Sequence, residues 1–340
     1  MRKSQSSRVA LQLPNPIQTL FLRACLAEGK AARESWKEWR ALIGDPRAFF
    51  TSEFPTARRL LPLLHFNLRR NKIEVKDAWL KAARVREKAR GATFWSTSGK
   101  ILSALNGQEV SFILGKGAAI DAFGYPHLGL RHTHDLDLIV QDVEHAAAAL
   151  EHLKLKRVGD TRFEDDSGLP VALHAGLFCT GNRDSDMDAV WRRTREKTIF
   201  NICVRLLSPE DQLLQLLEHA SHSSPGRSGH WVCDAWFVIG REEMDWEALA
   251  ARAEILGLTL TIAIGLKYLA DEFGAVIPDE VLGRLAALAA LATIPAFPRA
   301  GNTAVVPSPG GSLKDRWGEV LGRWARFEWL YNIRRIFLKR

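Results

Sequence analysis

The sequence predicts an α+β fold: a small mixed sheet with its own helices, flanked by helical regions at both ends. Three observations lead there. From about residue 17 to 105, apolar residues recur at three- and four-residue steps, as in Leu60, Leu61, Leu63, Leu64 and Leu68, the spacing that builds one apolar helix face. From Glu109 to Leu207 the pattern shortens to brief apolar or alternating runs punctuated by Gly, Pro and Asp, the texture of strands and turns. Beyond Leu207 the helical spacing returns.

Taken in order, residues 77–90 read as an amphipathic helix with a strongly basic face, with Asp77 suited to its first turn. Residues 110–114 form a short apolar run that stops at Gly115-Lys116-Gly117, so a strand, a turn and a helix over 117–123 are expected. A loop containing Gly124, Pro126 and Gly129 leads to a second strand over 136–140, and Asp142 opens a helix over 143–153. Short strands follow at 156–158, 161–164 and 169–173, the last two turned by Asp165-Asp166-Ser167-Gly168. Ser208-Pro209-Glu210-Asp211 is a helix start, with a capping Ser, Pro at the first position and two acids behind it. Later helices are expected at 245–256, 259–273 and 278–292. Four Pro and three Gly mark 294–312 as a linker or surface loop. Residues 313–340 read as a basic amphipathic helix whose stripe of Trp317, Leu321, Trp324, Phe327 and Tyr331 is expected to pack against the body. The expected organisation is a helical region at 1–105, a sheet-bearing core at 106–206, a helical domain at 207–293, the linker and the terminal helix.

The chain has 340 residues, enough for two or three cores. No stretch approaches the roughly 18 uncharged apolar residues that span a bilayer. Pro14 and Pro16 break the apolar run of a secretory signal. Cys25, Cys179, Cys203 and Cys233 stand singly, which argues against a zinc site or disulfide framework and for a reducing, cytoplasmic address. The net charge of +8 is uneven: residues 1–100 hold 21 Lys/Arg against 8 Asp/Glu, and residues 313–340 hold 8 against 3. Basic ends around an acidic middle suit a polyanion; solvated helix faces account for the charge equally well.

The informative segment is Leu114-Gly115-Lys116-Gly117-Ala118-Ala119, followed by Arg131-His132-Thr133-His134-Asp135-Leu136-Asp137-Leu138-Ile139-Val140. Carboxylates at i and i+2 on a strand project from one face, so Asp135 and Asp137 can hold Mg²⁺ or Mn²⁺ through hard oxygen ligands. Such ions grip phosphates and activate an attacking oxygen. A strand–Gly-x-Gly–helix turn lets backbone N–H groups approach a phosphate, and Lys116 adds a cation. The segment is not a P-loop, which needs GxxxxGK[ST], and GxSxG is absent, which argues against an α/β-hydrolase. Arg131 suits phosphate or substrate, or equally an ion pair that orients its loop. His132 and His134 read as loop residues facing away from the aspartates, and His174 as a structural histidine on a strand. His219, His222, His230 and Asp234 match no established zinc spacing and are expected to serve helix packing.

These residues resemble the uncharacterised nucleotidyltransferase family of bacterial proteins. The likeness runs through Leu114 to Ala119, Tyr125-Pro126, Leu130-Arg131 and Asp135 to Val140, and weakly through Val171-Ala172-Leu173-His174. It resumes at Leu207 to Asp211, His219 to His222, Trp231 with Asp234, and Asp245-Trp246, covering most of residues 60–285. In outline it is similar to the wider polymerase-β-like superfamily, where a Gly-rich turn meets nucleotide phosphates and three carboxylates hold two metals. The resemblance implies a nucleotidyltransferase-type sheet. It also implies an Mg²⁺- or Mn²⁺-dependent enzyme moving a nucleoside monophosphate from an NTP to an acceptor hydroxyl on a small molecule, protein or RNA. Asp135 and Asp137 would be its catalytic metal ligands; Gly115, Lys116, Gly117 and Arg131 would meet the nucleotide. One departure stands out: where the family pattern expects an acid before Leu173-His174, this chain has Ala172. That raises the alternative of a nucleotide- or RNA-binding pseudoenzyme; a toxin-like enzyme acting on tRNA or protein is a third possibility. Glu164, Asp165 or Asp166 could supply the missing carboxylate.

Overall fold

The computed structural model describes residues 11–178, 186–222 and 229–293; the expected linker and C-terminal helix lie outside the described residues. Helices lead the chain. Asn15 and Gln18 form a reciprocal capping box for Pro16–Leu26. Helices Gly29–Leu42 and Leu61–Arg70 follow, then a 30-residue helix, Ala78–Gly107. At a rise of 1.5 Å per residue that helix is about 45 Å long.

Seven strands then form one mixed sheet: β1 Phe112–Leu114, β2 Leu136–Val140, β3 Lys156–Gly159, β4 Arg162–Glu164, β5 Pro170–His174, β6 Arg195–Ile199 and β7 Ile202–Leu206. Their order is β3-β4-β5-β2-β1-β7-β6. β2 runs antiparallel to β1 and parallel to β5, and β1 runs parallel to β7. The strands at 156–158, 161–164 and 169–173 therefore exist, each within a residue of its expected bounds. Helix Val143–His152 crosses from β2 to β3, capped by the Asp142 side chain.

The β6–β7 hairpin is an addition to the sequence reading. It turns on Phe200 and Asn201, with φ of 49° and 62°. Both residues take the left-handed conformation that two-residue hairpin turns favour, without the Asn-Gly or Asp-Gly pair that announces such turns. The helix expected over 117–123 is split into a short α segment, Lys116–Ala119, and a wider turn over Ile120–Gly124.

β2 is buried along its whole length because both of its faces are covered. Leu136, Leu138 and Val140 pack with Leu150 and with Phe94, Leu102 and Leu105 of the long helix. Ile139 meets Ile113, Leu177, Val190, Trp191 and Leu207 on the other side. The helical regions that flank the sheet in sequence share a single core in space: Phe21, Trp39 and Leu64 pack with Leu217, Trp231, Ile262 and Tyr268. Thr19 Oγ1 and Tyr268 Oη lie 2.8 Å apart, and Arg23 pairs with Glu272 at 2.7 Å. The long helix joins both bodies, with Leu80 and Ala83 in the helical core and Phe94 to Leu105 against the sheet.

Ser208 caps helix Pro209–Ser221 as its sequence suggests. The acids behind it are buried, so their charge requires partners: Asp211 meets Arg193 and Arg252, and Glu210 accepts the Asp245 N–H. Among the described residues, no helix is long and apolar enough to cross a membrane.

Candidate active site

The site forms where β1 ends beside β2 and β5. Gly115 follows β1 and donates its N–H to the Asp137 carbonyl at 3.0 Å. A Cβ at Gly115 would stand 3.3 Å from that oxygen, tighter than side chains normally tolerate, so glycine lets the turn hug β2. That N–H is thereby used within the sheet. Lys116 comes next with φ +42°, an uncommon conformation for a lysine.

The turn brings the Lys116 ammonium onto Asp137: Nζ lies 3.0 Å from Oδ1. His174 Nε2 approaches the same oxygen at 2.5 Å. A carboxylate only accepts, so Nε2 is the donor. The sheet register explains the meeting. Asp137 is paired with Ala172 and Ile139 with His174 across β2 and β5, and residues two apart on a strand share a face. His174 thus stands one step beyond Ala172 on the side that carries Asp137. Burial opposes ionisation of Asp137, but the His174 hydrogen bond and the Lys116 charge prevail and hold its carboxyl at about 2. His219 belongs to these surroundings: burial, then the charge of Lys116, lowers its pKa.

Asp135 lies just ahead of β2 and is the more open aspartate, its side chain 39% exposed against 8% for Asp137. Ala172 faces Arg162 on its other side, across β4 and β5. Asp165 is spent on its own turn, accepting from Ser167 and Leu169. Among the described residues, no three His, Cys, Asp or Glu side chains converge as a ready ligand set.

Arg131 points elsewhere. It forks onto Asp234, with Nε and Nη2 each 2.9 Å from one carboxylate oxygen, and Asp234 also accepts from Tyr125 Oη at 2.8 Å. Asp234 is fully buried, and although burial works against the guanidinium charge, Asp234 keeps Arg131 protonated. Of the two roles open to Arg131, the geometry is that of the loop-orienting ion pair. Gly117 makes room for it: a Cβ there would fall 2.5 Å from Arg131 Nη1. The next residues are tied to the long helix, since His132 Nδ1 lies 3.0 Å from Glu87 and Arg90 donates to the Thr133 carbonyl. His134 lies 3.8 Å from Asp135 and so does not face away from it. A cavity of about 920 Å³ lined by Trp95, Gly99, Leu128 and Phe200 lies apart from this chemistry; none of Lys116, Asp135, Asp137 and His174 lines it.

The structure brings Lys116 and Asp137, both singled out in the sequence, into contact and adds His174, whose signal depends on knowing that β5 is the neighbour of β2. Sequence reasoning also left Tyr125 and Asp234 without their partner.

The order of these parts has a counterpart in known sequences. Residues 55–274 match the family described as uncharacterised nucleotidyltransferase. The chain belongs to that family. No curated protein matches it. Two solved structures are similar in part. An antigenic nucleotidyltransferase-like protein from Paracoccidioides brasiliensis aligns over 56% of this chain and 95% of its own, at 14% identity and TM-score 0.43. The antibiotic-resistance factor ANT(2'')-Ia aligns over 54% of this chain and 97% of its own, at 18% identity and TM-score 0.34. Likenesses this loose carry no argument about the site of this nucleotidyltransferase family member.

Three outcomes follow. Asp234→Ala leaves the Arg131 guanidinium buried without its partner and should cost about 3–5 kcal/mol of stability in urea denaturation. Gly117→Ala, which crowds the same guanidinium, should destabilise in the same direction. Asp137 has a depressed pKa, so its contribution is complete above the unfolded carboxyl value and is lost as pH falls towards about 2. Denaturation midpoints between about pH 5 and pH 2 should therefore fall less steeply in Asp137→Asn than in wild type, by about 2 kcal/mol over the window.

Proposed function

We propose that the chain is a metal-dependent nucleotidyltransferase that moves a nucleoside monophosphate from an NTP to an acceptor hydroxyl. The observation that carries this is the convergence of Lys116, from the turn after β1, on Asp137, two residues beyond Asp135 at the start of β2. One carboxylate at a sheet edge is commonplace. Two at i and i+2, beside a lysine delivered by a Gly-x-Gly turn, suit the anionic centre of a nucleotide and the cation that accompanies it.

The donor set fits one hard divalent cation, Mg²⁺ or Mn²⁺. Mg²⁺ is commonly held by one or two protein carboxylates, the rest of its shell coming from water and substrate phosphates. Asp135 and Asp137 meet that demand. A second ion lacks a third carboxylate, because Ala172 occupies the strand position facing Asp137. The bound ion would neutralise phosphate charge and make the acceptor hydroxyl more acidic. In the transfer, the acceptor oxygen bonds to the α-phosphorus and gives up its proton to solvent, the bond to the bridging oxygen of the β-phosphate breaks, and pyrophosphate departs. The protein's part is placement. His174 fixes the rotamer of Asp137, as hydrogen bonds to ligating carboxylates generally do. Lys116 supplies positive charge for the triphosphate, and the Arg131–Asp234 pair holds the loop that leads into Asp135. The acceptor is a small molecule, a protein or an RNA, and the basic balance of residues 1–100 suits a polyanionic one.

NTPs labelled at the α-phosphate, offered with Mg²⁺ or Mn²⁺ and total RNA, a small-molecule extract or the protein alone, test this reading. Wild type should transfer label, and Asp135→Asn and Asp137→Asn should each lose at least about 100-fold of the rate. Retained transfer in both variants rejects the assignment.

Ala172 supports a second reading, a nucleotide-binding protein whose turnover has decayed. Restoring the acid with Ala172→Asp separates the two. A protein silent as wild type that gains transfer supports decay. Robust wild-type transfer with no gain in the variant shows that the third carboxylate is dispensable here.

A further inference from the structure

One of the two carboxylate oxygens of Asp137, Oδ1, is already engaged. Asp137 Oδ1 receives Lys116 Nζ at 3.0 Å and His174 Nε2 at 2.5 Å, and these two nitrogens stand 3.3 Å apart. His174 gives its Nε2 proton to Asp137, so the approach of Nζ to Nε2 brings donor against donor and is not a hydrogen bond. The two compete for one oxygen, which leaves the lysine less firmly held than its distance suggests. A divalent ion on that oxygen would stand beside the Lys116 ammonium, and like charges so close, at a largely buried carboxylate, repel strongly. The ion and the ammonium therefore compete for that oxygen.

Lys116 can leave. Its ammonium rides on a flexible four-carbon stem with three rotatable donors, and its side chain is 28% exposed. What it requires is another anion, and a nucleoside triphosphate brings several negative charges to the same turn. We propose that Lys116 is an exchangeable counter-ion of Asp137: the triphosphate draws it away, and the divalent cation takes its place on the carboxylate. The proposal rests on the nucleotidyltransferase reading above. Metal and nucleotide then enter as a unit, each binding poorly alone. By linkage, the factor by which nucleotide tightens metal equals the factor by which metal tightens nucleotide. The lysine thus has two successive partners, and Asp137 is charge-compensated in both states, which a largely buried carboxylate demands.

Mn²⁺ binding followed by electron paramagnetic resonance tests this without turnover. Wild type, Lys116→Met and Lys116→Gln are titrated with and without the α,β-methylene analogues of ATP and GTP, folding being checked by near-ultraviolet circular dichroism. Either substitution removes the internal cation and leaves Asp137 with His174 alone. Nucleotide-free Mn²⁺ affinity should rise about tenfold or more in the folded variants. The tightening of Mn²⁺ by the analogue, large in wild type, should shrink by a similar factor. Equal nucleotide-free affinity in wild type and variants, with Mn²⁺ binding still dependent on Asp135, overturns the exchange and leaves the nucleotidyltransferase reading standing. No Mn²⁺ binding in any protein, even with an analogue present, overturns both.

Discussion

The buried pair between Arg131 and Asp234 is the constraint on which the site depends. Its two partners come from different bodies: Asp234 sits on helix His230–Arg241 in the helical core, and Arg131 on the loop that runs into β2. Tyr125 and Leu130, earlier on that loop, are packed in the helical core, whereas Leu136 is packed in the sheet core. The loop therefore crosses from one body to the other, and Asp135 lies on the far side of the crossing. A bidentate ion pair with both partners withdrawn from water fixes direction as well as distance. Such a pair adds little net stability, but each half becomes costly once the other is gone. The position of the aspartates is thereby coupled to the integrity of a helical core many residues away in sequence.

The same pair changes the meaning of the Gly-x-Gly turn. Glycines before a helix suggest close approach of a phosphate, yet each has a local reason here. Gly115 lets the chain pass within hydrogen-bonding distance of β2, and Gly117 leaves room for the Arg131 guanidinium. The positive charge of the turn comes from Lys116, and the glycines serve its packing. The residues around the site thus divide by what they do. Arg131, Asp234, Tyr125 and Gly117 position the loop, whereas Lys116, Asp135, Asp137 and His174 present charge and hydrogen bonds to one edge of the sheet.

Much of this was legible in the sequence, for physical reasons that also set its limit. β2 could be read because apolar residues and aspartates alternate at a period of two, and Ser208 because helix N-termini need a side-chain acceptor. Both are local signals. Pairings between distant segments leave no such trace. The sharing of one core by the first described helix and helix Thr259–Phe273 depends on contacts such as Thr19 with Tyr268, and neither residue announces the other. The β6–β7 hairpin escaped because Phe200 and Asn201 adopt left-handed conformations usually reserved for glycine-containing turns. His174 escaped because its role arises only when β5 lies parallel to β2 in the observed register. On its own strand it is a histidine between apolar neighbours, which describes a structural residue equally well.

Register also bears on what Ala172 means. The strand position facing Asp137 carries an alanine, and the same face offers an imidazole two residues on, within 2.5 Å of Asp137. An acid at 172 would add negative charge beside a carboxylate that is already largely buried, and that charge would call for a second cation. An alanine there, with His174 donating and Lys116 supplying the cation, balances Asp137 with groups the chain carries itself. Asp137 is therefore charge-compensated by the protein's own side chains. The site's departure from a three-carboxylate arrangement is a coherent electrostatic solution, not merely a missing part.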